Sequence, residues 1–547
     1  MSKELNRAVL ANLKAAYLNL GMALRDAGMA NKALRAFRDA LELDPDYAVA
    51  HFGLGTVLSE QAQRARKREK TRSLREQAVD ALQHAVELDP GYVEACQLLA
   101  TVLGDLGRNE EQVGWLEKAV EHDPDNLLAW QTLGAAYRSQ GQLLDKAVEA
   151  YEKTVELAPQ EAEFLRSLAS VHYDLNHWAE AAELYDRAFA IEEGKAKDYN
   201  SWGGALYHLG KYEEGLHAIQ KAIELEPEAA GYHSNEALFL LGLKRYEEAE
   251  MAYRKAIELD PDFAMAHNNL GSLLSDLEHY EEAEAAYRKA IELDPKYAMA
   301  HNHLGNLLAV LERYEEAEAA CAKAIELNPE YADAYVDQGR ILYLQNKISQ
   351  CIEAFRKAIE VEPDNPTAHN NLGFVLGGQG ENYDESIREL THALELGHTP
   401  SITYNNLGYI FLRRKECARA EDSLEDALEE DQGETAILRV AFYQNTYVLI
   451  DEDPFPKEFL SEEAVAYCNL ATVFAEQGHM DLALEMGKEA IESCPESPLG
   501  YRAIGHIYLE MDDFNRALEA FNKALELDSE NEEIHKLIEF AKSKASE

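Results

Sequence analysis

A repeat of 34 residues constrains the fold of this chain more than any other feature of its sequence. Residues 264–297 and 298–331 are closely similar when one is shifted by 34 positions onto the other. The same spacing separates five successive prolines, namely Pro227, Pro261, Pro295, Pro329 and Pro363. A period of this length is typical of stacked supersecondary units, in which each unit buries its apolar face only by packing on its neighbours.

Each repeat contains a pattern that predicts two helices. The first helix carries an aromatic residue or a histidine and then a Leu-Gly pair, as at Leu133 and Gly134, where the small residue allows the second helix to approach closely. The second helix places small and large residues on one face at helical spacing, as at Ala283, Tyr287 and Ala290. A proline then ends the repeat, because it cannot continue a helix. Glycines occupy many turns between the two helices, namely Gly107, Gly141, Gly210 and Gly478.

This pattern resembles the tetratricopeptide repeat family. The residues that carry the resemblance in one repeat are Leu270, Gly271, Tyr280, Ala283, Tyr287, Ala290 and Pro295. Their equivalents recur over nearly the whole chain, in about fourteen repeats. The resemblance implies an all-α fold, a right-handed α-solenoid superhelix of antiparallel helix pairs.

The repeats divide the chain into three segments. Residues 1–434 hold a main array of about twelve repeats, with a basic insertion at residues 60–77. Residues 435–463 form an irregular repeat and a proline-containing loop. Residues 464–547 hold two further repeats and a polar-faced capping helix over Asn531 to Ser546, which an open stack of repeats needs for solubility.

The irregular segment begins with a first-helix pattern over Ala436 to Ile450, but no ordinary second helix follows. Asp451 to Phe459 is polar and contains two prolines, which predicts a loop and a possible subdomain boundary. If this loop docks on a partner, Phe455 and Phe459 are its expected anchors.

The composition excludes several classes of function. The chain has 52 Lys and Arg against 101 Asp and Glu, a net charge of −49, and such a field repels nucleic acid and anionic membrane surfaces. No stretch of 18 apolar residues occurs, so no membrane insertion is expected. The six cysteines lack metal or redox spacing and the N-terminal residues do not follow the pattern of a signal peptide, so the expected location is cytoplasmic.

Motifs for catalysis are weak. The glycines of residues 377–380 lie at an inter-helix turn, and the paired acids begin second helices, where carboxylates complement the helix dipole. His233, His267 and His301 recur every 34 residues, but other repeats carry aromatic residues there, so we interpret the position as one that needs a flat ring. Cys321 and Cys351 replace core residues of other repeats. The sequence predicts no catalytic residue, no metal ligand, no cofactor and therefore no enzyme.

A column of polar residues on the first helices is the best candidate for a binding surface. The residue before the Leu-Gly pair, which we call the ladder position, is asparagine in six repeats: Asn19, Asn235, Asn269, Asn371, Asn406 and Asn469. The resemblance implies that this position faces the concave channel. Long arrays of the family, such as those of O-linked N-acetylglucosamine transferase and kinesin light chain, hold an extended peptide there by its backbone. The alternative is that asparagine is simply common at this position of the repeat.

Neighbouring positions of the first helices would supply selectivity, because an amide that bonds a peptide backbone tolerates many sequences. Candidates one turn after the ladder are Ser272, Asn306, Arg340, Phe374 and Tyr409. Together, the expected concave contacts are Asn235, Asn269, Asn302, Asn306, Arg340, Asn371 and Asn406.

The basic insertion is a second candidate surface in this acidic chain. It contains seven cations within twelve residues: Arg64, Arg66, Lys67, Arg68, Lys70, Arg72 and Arg75. One interpretation is an electrostatic contact with an acidic partner surface or a phosphate. The other is a solvated helix extension whose charges pair with acidic residues of the chain itself, which would contribute little stability.

These features favour a protein-interaction scaffold or adaptor that binds a partner protein or an extended peptide in the concave channel, within a multiprotein complex. The alternative is a regulatory or targeting subunit, or an assembly factor, of a separate enzyme complex. The family's carboxylate clamp for chaperone tails is less favoured, because no neighbouring repeats carry its basic set. RNA binding by a related helical repeat is disfavoured by the 34-residue period and by the acidic charge.

Overall fold

The computed structural model describes residues 2–65, 67–380, 382–429, 439–443, 446–450, 462–528 and 531–546. In these ranges the chain forms 29 helices and two short strands. No helix in the described ranges is long and apolar enough to cross a membrane. The helices are numbered in chain order: α1 Ser2–Asp26, α2 Ala30–Leu43, α3 Ala48–Arg64, α4 Arg68–Leu88, α5 Val93–Asp105, α6 Asn109–His122, α7 Leu127–Ser139, α8 Leu144–Leu157, α9 Ala162–Asp174, α10 Trp178–Ile191, α11 Ala196–His208, α12 Tyr212–Leu225, α13 Ala230–Gly242, α14 Tyr246–Leu259, α15 Ala264–Asp276, α16 Tyr280–Leu293, α17 Ala298–Val310, α18 Tyr314–Leu327, α19 Ala332–Leu344, α20 Ile348–Val361, α21 Pro366–Gln379, α22 Tyr383–Glu395, α23 Pro400–Arg413, α24 Cys417–Glu429, α25 Glu462–Glu476, α26 Met480–Ser493, α27 Leu499–Glu510, α28 Phe514–Leu527 and α29 Glu532–Ser546.

The helices form an α-solenoid of consecutive pairs. Within each unit, a first helix packs against the second helix that follows it, from α1 to α12 and from α15 to α28, and that second helix packs against the next first helix. Within the described residues, α1 to α28 alternate as first and second helices, which agrees with the predicted count of about fourteen repeats, and α29 packs on α28. The chain divides into two compact units, Met1–Ala252 and Tyr253–Glu547, each of which contains this same stacking.

The turn within most pairs contains one residue in the left-handed region of backbone space. In the described part of the chain six of these turns use glycine, as at the α5–α6 turn, where Gly107 has φ 76°, and seven use another residue, as at the α15–α16 turn, where Glu278 has φ 65°. Glycine adopts this conformation without steric cost, whereas a side chain is strained there. The glycines predicted to lie in turns therefore adopt the left-handed conformation that the turn requires. In other repeats a non-glycine residue adopts the same conformation at the cost of strain.

The glycine of the first helix allows the two helices of a pair to touch. A Cβ atom added to Gly271 would lie 2.8 Å from the ring of Tyr287, and one added to Gly339 would lie 2.6 Å from the ring of Phe355. Both distances are too short for real contacts, so any larger residue would push the helices apart. This confirms the predicted reason for the Leu-Gly position.

The recurring ring of the first helix makes a specific bond. Nε2 of His233 lies 2.9 Å from the carbonyl oxygen of Pro227, and the indole N–H of Trp130 donates to the carbonyl of Pro124 at 2.8 Å. The same bond, always to the proline six residues earlier, occurs at His51, His267, His301 and His369. In these six repeats a ring nitrogen thus ties the first helix to the turn before it.

The irregular segment differs from its prediction. The first-helix pattern expected over Ala436 to Ile450 is wrong, because this region contains two antiparallel strands, β1 Arg439–Tyr443 and β2 Thr446–Ile450. They form a hairpin in which Arg439 faces Ile450 and Tyr443 faces Thr446. The segment RVAFY and the segment TYVLI are rich in aromatic and β-branched residues, which favour strands, and this local preference outweighs the short helical pattern.

The stack continues past this hairpin. Helix α25 packs directly against α24 and α23, the two helices of the preceding repeat. The hairpin is therefore an insertion between consecutive repeats of the second unit.

The cysteines lie mainly in the core. Cys96, Cys321, Cys351 and Cys468 are buried, and Cys417 and Cys494 are half-buried. Burial raises the pKa of the Cys321 thiol well above its usual value, and it raises that of Cys351 to about 12. The prediction that Cys321 and Cys351 are core thiols is confirmed, and both are protonated and unreactive at neutral pH.

Candidate partner-binding faces

Within each unit, the first helices of successive repeats carry their ladder positions at equivalent places. We call the surface that carries these positions the first-helix face of that unit. In the first unit its clearest member is Asn235, which is half-buried. In the second unit Asn269 is half-buried, whereas Asn371, Asn406 and Asn469 are buried. The ladder asparagines therefore occupy two environments, and only the first kind is open to solvent.

Ladder residues bond from one repeat to the next at five described junctions. At each of them the ladder residue bonds to the residue that precedes the ladder position in the preceding repeat. The amide of Asn235 donates to Oδ1 of Asn200 at 2.7 Å. The amide of Asn406 donates to Oδ1 of Asn370 at 3.0 Å, and that of Asn469 donates to Oδ1 of Asn405 at 2.6 Å.

Two further pairs follow the same rule with other residue types. His303 occupies a ladder position, and its Nδ1 lies 3.0 Å from Oδ1 of Asn268. Asp337 also occupies a ladder position, and its carboxylate accepts from Asn302 at 2.6 Å. Sequence reasoning missed this second column, apart from Asn302. Its signal was present, because asparagine recurs directly before the ladder position at Asn200, Asn268, Asn302, Asn370 and Asn405.

This bonding leaves one polar atom of a ladder amide available. Asn235 uses its N–H on Asn200, which leaves its carbonyl oxygen. Asn269 accepts from Asn268 at 3.2 Å through its oxygen, which leaves its N–H groups. A peptide backbone offers the complementary donors and acceptors. The amides can therefore join neighbouring repeats and still bond a chain that lies on the face.

A charged network interrupts the column between α17 and α19. The carboxylate of Asp337 accepts from Asn302, from Asn306 at 2.8 Å and from Arg340 at 3.2 Å. Asp337 and Arg340 are each only 7% exposed. A buried ion pair of this kind depends on its hydrogen bonds to offset the cost of desolvation. Asn302, Asn306 and Arg340, three of the predicted contact residues, are thus brought together around one carboxylate.

The other predicted selectivity positions divide, like the ladder asparagines, into half-buried and buried residues. Ser272 is half-buried and accepts from the hydroxyl of Tyr287 at 3.2 Å. Phe374 and Tyr409 are buried, with ring centroids 6.0 Å apart. The face is therefore polar and open near α15 and aromatic and covered near α21 and α23.

The basic insertion lengthens two helices instead of forming a loop. It extends the end of α3 to Arg64 and adds two turns to the start of α4. Arg75 is engaged, since it donates to the carboxylate of Asp105 at 2.7 Å. The other described cations, Arg64, Lys67, Arg68, Lys70 and Arg72, are exposed, and within the described ranges they form no ion pair. Arg66 lies outside the described residues.

This contrasts with the usual pairing of cations in the repeats. On many second helices a lysine pairs with the glutamate three residues later, as at Lys255 and Glu258, 2.9 Å apart. The basic segment has only Glu69 among its cations, so it lacks such local partners. The predicted docking anchors Phe455 and Phe459 lie outside the described residues.

Family models identify the chain. Models of the tetratricopeptide repeat match seven segments, namely residues 15–47, 93–126, 115–149, 227–296, 268–332, 339–380 and 498–531. The chain belongs to the tetratricopeptide repeat family. The fourteen helix pairs, the glycine at the close approach and the ring–proline bond are thus features of tetratricopeptide repeats in this protein.

Two other comparisons concern larger assemblies. Residues 142–222 of this tetratricopeptide repeat protein match the family model of subunit 3 of the anaphase-promoting complex, or cyclosome. The chain is also similar to the crystal structure of the APC/C hetero-tetramer Cut9-Hcn1, with 15% identity, 96% of each chain covered and a TM-score of 0.47, a likeness too low to carry an argument. No curated protein sequence matches the chain.

Proposed function

We propose that this protein is a non-enzymatic interaction scaffold whose units each offer a first-helix face to an extended segment of a partner protein. The observation that supports this most is the state of the ladder amides at Asn235 and Asn269. Each is half-exposed, each uses one polar atom within the array, and each keeps the other for a partner. Asparagine is about 0.6 kcal/mol less favourable than alanine in a helix, so it needs hydrogen bonds to offset that cost.

The exposed cations of the basic segment support a second contact in the same scaffold. Five exposed cations lie on the end of α3 and the first turns of α4, while the whole chain carries a net charge of −49. Such a local field attracts an acidic surface and accelerates its encounter with the protein. The partner that fits these exposed cations is an acidic protein segment. The acidic remainder of the chain would repel such a segment.

A subunit role in a larger complex is the second candidate function. The match of residues 142–222 to a subunit of the anaphase-promoting complex supports it, because that protein is part of a multiprotein assembly. In this form, the chain is a regulatory, targeting or assembly subunit, and catalysis belongs to another protein. Both candidates share the same surfaces and differ in whether the partner is permanent.

Replacement of the open ladder amides tests the first contact. We expect Asn235→Ala and Asn269→Ala, combined in the full chain, to weaken capture of partners from native lysate about thirtyfold, since each lost hydrogen bond contributes roughly 1 kcal/mol. The measurement is a quantitative tagged pull-down at low and high salt. The matched control is Asn522→Ala, an exposed asparagine on the second helix α28, which should leave capture unchanged. Equal capture by all three proteins would contradict a role for the ladder.

Neutralisation of the basic segment tests the second contact. We expect the variant with Lys67, Arg68, Lys70 and Arg72 changed to Gln to associate with the captured partner several-fold more slowly at low salt. At about 1 M salt, where the Debye length is roughly 3 Å, it should match the unchanged protein. The control is Lys255→Gln with Lys289→Gln, because these exposed lysines already pair with Glu258 and Glu292. A rate that depends on neither salt nor mutation would make the segment a solvated helix extension.

A further inference from the structure

The β1–β2 hairpin lies beside first helices of the second unit. Strand β2 is close to α23 and to α25, which are the first helices of consecutive repeats. Because α24 and α25 pack on each other, the chain leaves the stack after one repeat and returns to it at the next. The inserted segment is thus free to lie on a surface of the stack without opening it.

The burial of these helices indicates that a second layer covers them. On α23, every residue from Asn405 to Leu412 is buried, although a helix packed on one side keeps a solvent-exposed face. The same ladder position is half-exposed at Asn269, where no inserted segment follows the repeat. The buried run begins at α21 and continues through α23 and α25, the two helices beside β2.

The covered face also holds polar atoms without partners. Nδ2 of Asn405 and Oδ1 of Asn406 are buried and bond nothing, although both residues are at most 1% exposed. Nδ2 of Asn371 is in the same state. Unbonded buried polar atoms of this kind cost about 1–3 kcal/mol each. Two of these atoms donate and one accepts, so the hairpin lies beside these helices without bonding their amides.

We propose that the β1–β2 hairpin is an internal occupant of the first-helix face at α23 and α25, and that an extended partner segment binds there only when the hairpin is displaced. The identity of the competing ligand, an extended partner segment, rests on the proposed function. The occupancy of the face by the hairpin does not depend on the proposed function. The hairpin leaves these amide atoms unbonded, whereas an extended partner segment can satisfy them with the N–H and C=O groups of its backbone, which favours displacement of the hairpin. The array would then offer an open part of the face at Asn269 and a self-occupied part at Asn406.

The first experiment measures how fast a maleimide reagent reacts with a cysteine introduced beneath the hairpin. Tyr409→Cys places a thiol at a buried position of α23, and Ser272→Cys places one at the equivalent half-exposed position of α15. Each is combined with Ala441→Pro and Leu449→Pro, which remove backbone donors from both strands of the hairpin. We expect maleimide labelling at position 409, followed by peptide mass spectrometry, to become at least tenfold faster when the hairpin is disrupted. Labelling at position 272 should not change.

The second experiment tests competition with a defined probe. A fluorescent peptide with the sequence of residues 439–450 is added to the intact chain and to the chain with residues 430–461 replaced by a Gly-Ser linker. We expect at least tenfold tighter binding to the linker variant than to the intact chain. Circular dichroism establishes that the variants keep their helices.

The outcomes separate the two proposals. Unchanged labelling at position 409 together with equal peptide binding would overturn internal occupancy. Faster labelling and tighter peptide binding would support it even if the changes at Asn235 and Asn269 leave partner capture intact, in which case only the proposed function fails.

Discussion

Replacement of Phe355 by alanine is expected to destabilise the central repeats of the second unit by about 3–5 kcal/mol. Phe355 is 1% exposed on α20 and packs against the space left by the missing side chain of Gly339. Removal of the ring leaves a cavity that the two helices cannot close, because their distance is fixed by packing against neighbouring repeats. The measurement is native-state hydrogen exchange, in which α19 to α21 should exchange roughly a hundredfold or more faster.

The control for this change lies at the end of the array. Phe540 on α29 is 51% exposed, so Phe540→Ala should alter stability by no more than about 0.5 kcal/mol. Because each repeat contacts mainly its neighbours, exchange in α5 to α8 should be unaffected by Phe355→Ala. Uniform acceleration over the whole chain, or the same effect from both substitutions, would show that the destabilisation does not come from this cavity.

Replacement of Asp337 by alanine is expected to cost a similar amount, about 3–5 kcal/mol, for an electrostatic reason. The carboxylate binds Asn302, Asn306 and Arg340 at once. Without it, the guanidinium of Arg340 loses its carboxylate in a site that is only 7% exposed, and two amides lose their acceptor. Urea unfolding followed by circular dichroism, with the transition of α17 to α20 resolved by hydrogen exchange, measures the loss.

Two variants separate charge from bonding at this position. Asp337→Asn gives the residue type found at other ladder positions and can still accept from Asn302, so it should cost less than Asp337→Ala. Asp337→Leu combined with Arg340→Met removes both charges, and such apolar replacements of a buried ion pair are often neutral. If the double variant is as unstable as Asp337→Ala, the shape of the network and not its charge dominates.

The fold could be predicted from the sequence because its signals repeat. The 34-residue period, the Leu-Gly position and the turn glycines each occur many times, so a weak local preference becomes a strong one. The role of the recurring ring on the first helix was predicted only in part. A flat ring was expected, but the bond from rings such as His233 and Trp130 to a proline carbonyl depends on a turn geometry that the sequence does not display.

The candidate site was predicted less completely, for two physical reasons. The ladder asparagines were recognised by their position, but their bonds to the preceding repeat depend on how repeats stack, so the second column was missed at Asn200, Asn268, Asn370 and Asn405. The hairpin was mistaken for a helix because short apolar runs fit both periods, and the strand preference of Val440 and Tyr447 was not weighed. Partner contact by the ladder remains a prediction.

Amide bonding between repeats also governs how an array of this kind can change its length. At the junctions that carry this bond, the ladder residue meets the position just before the ladder of the preceding repeat, so one repeat with asparagine at both positions can follow another of the same kind. Recombination that adds or removes a whole 34-residue repeat again places the amide N–H of one asparagine next to the amide oxygen of another at the new junction. An exchange out of phase would instead place a buried amide against apolar side chains, at about 1–3 kcal/mol for each unbonded group. Selection on folding alone would therefore confine such an array to growth and loss by whole repeats.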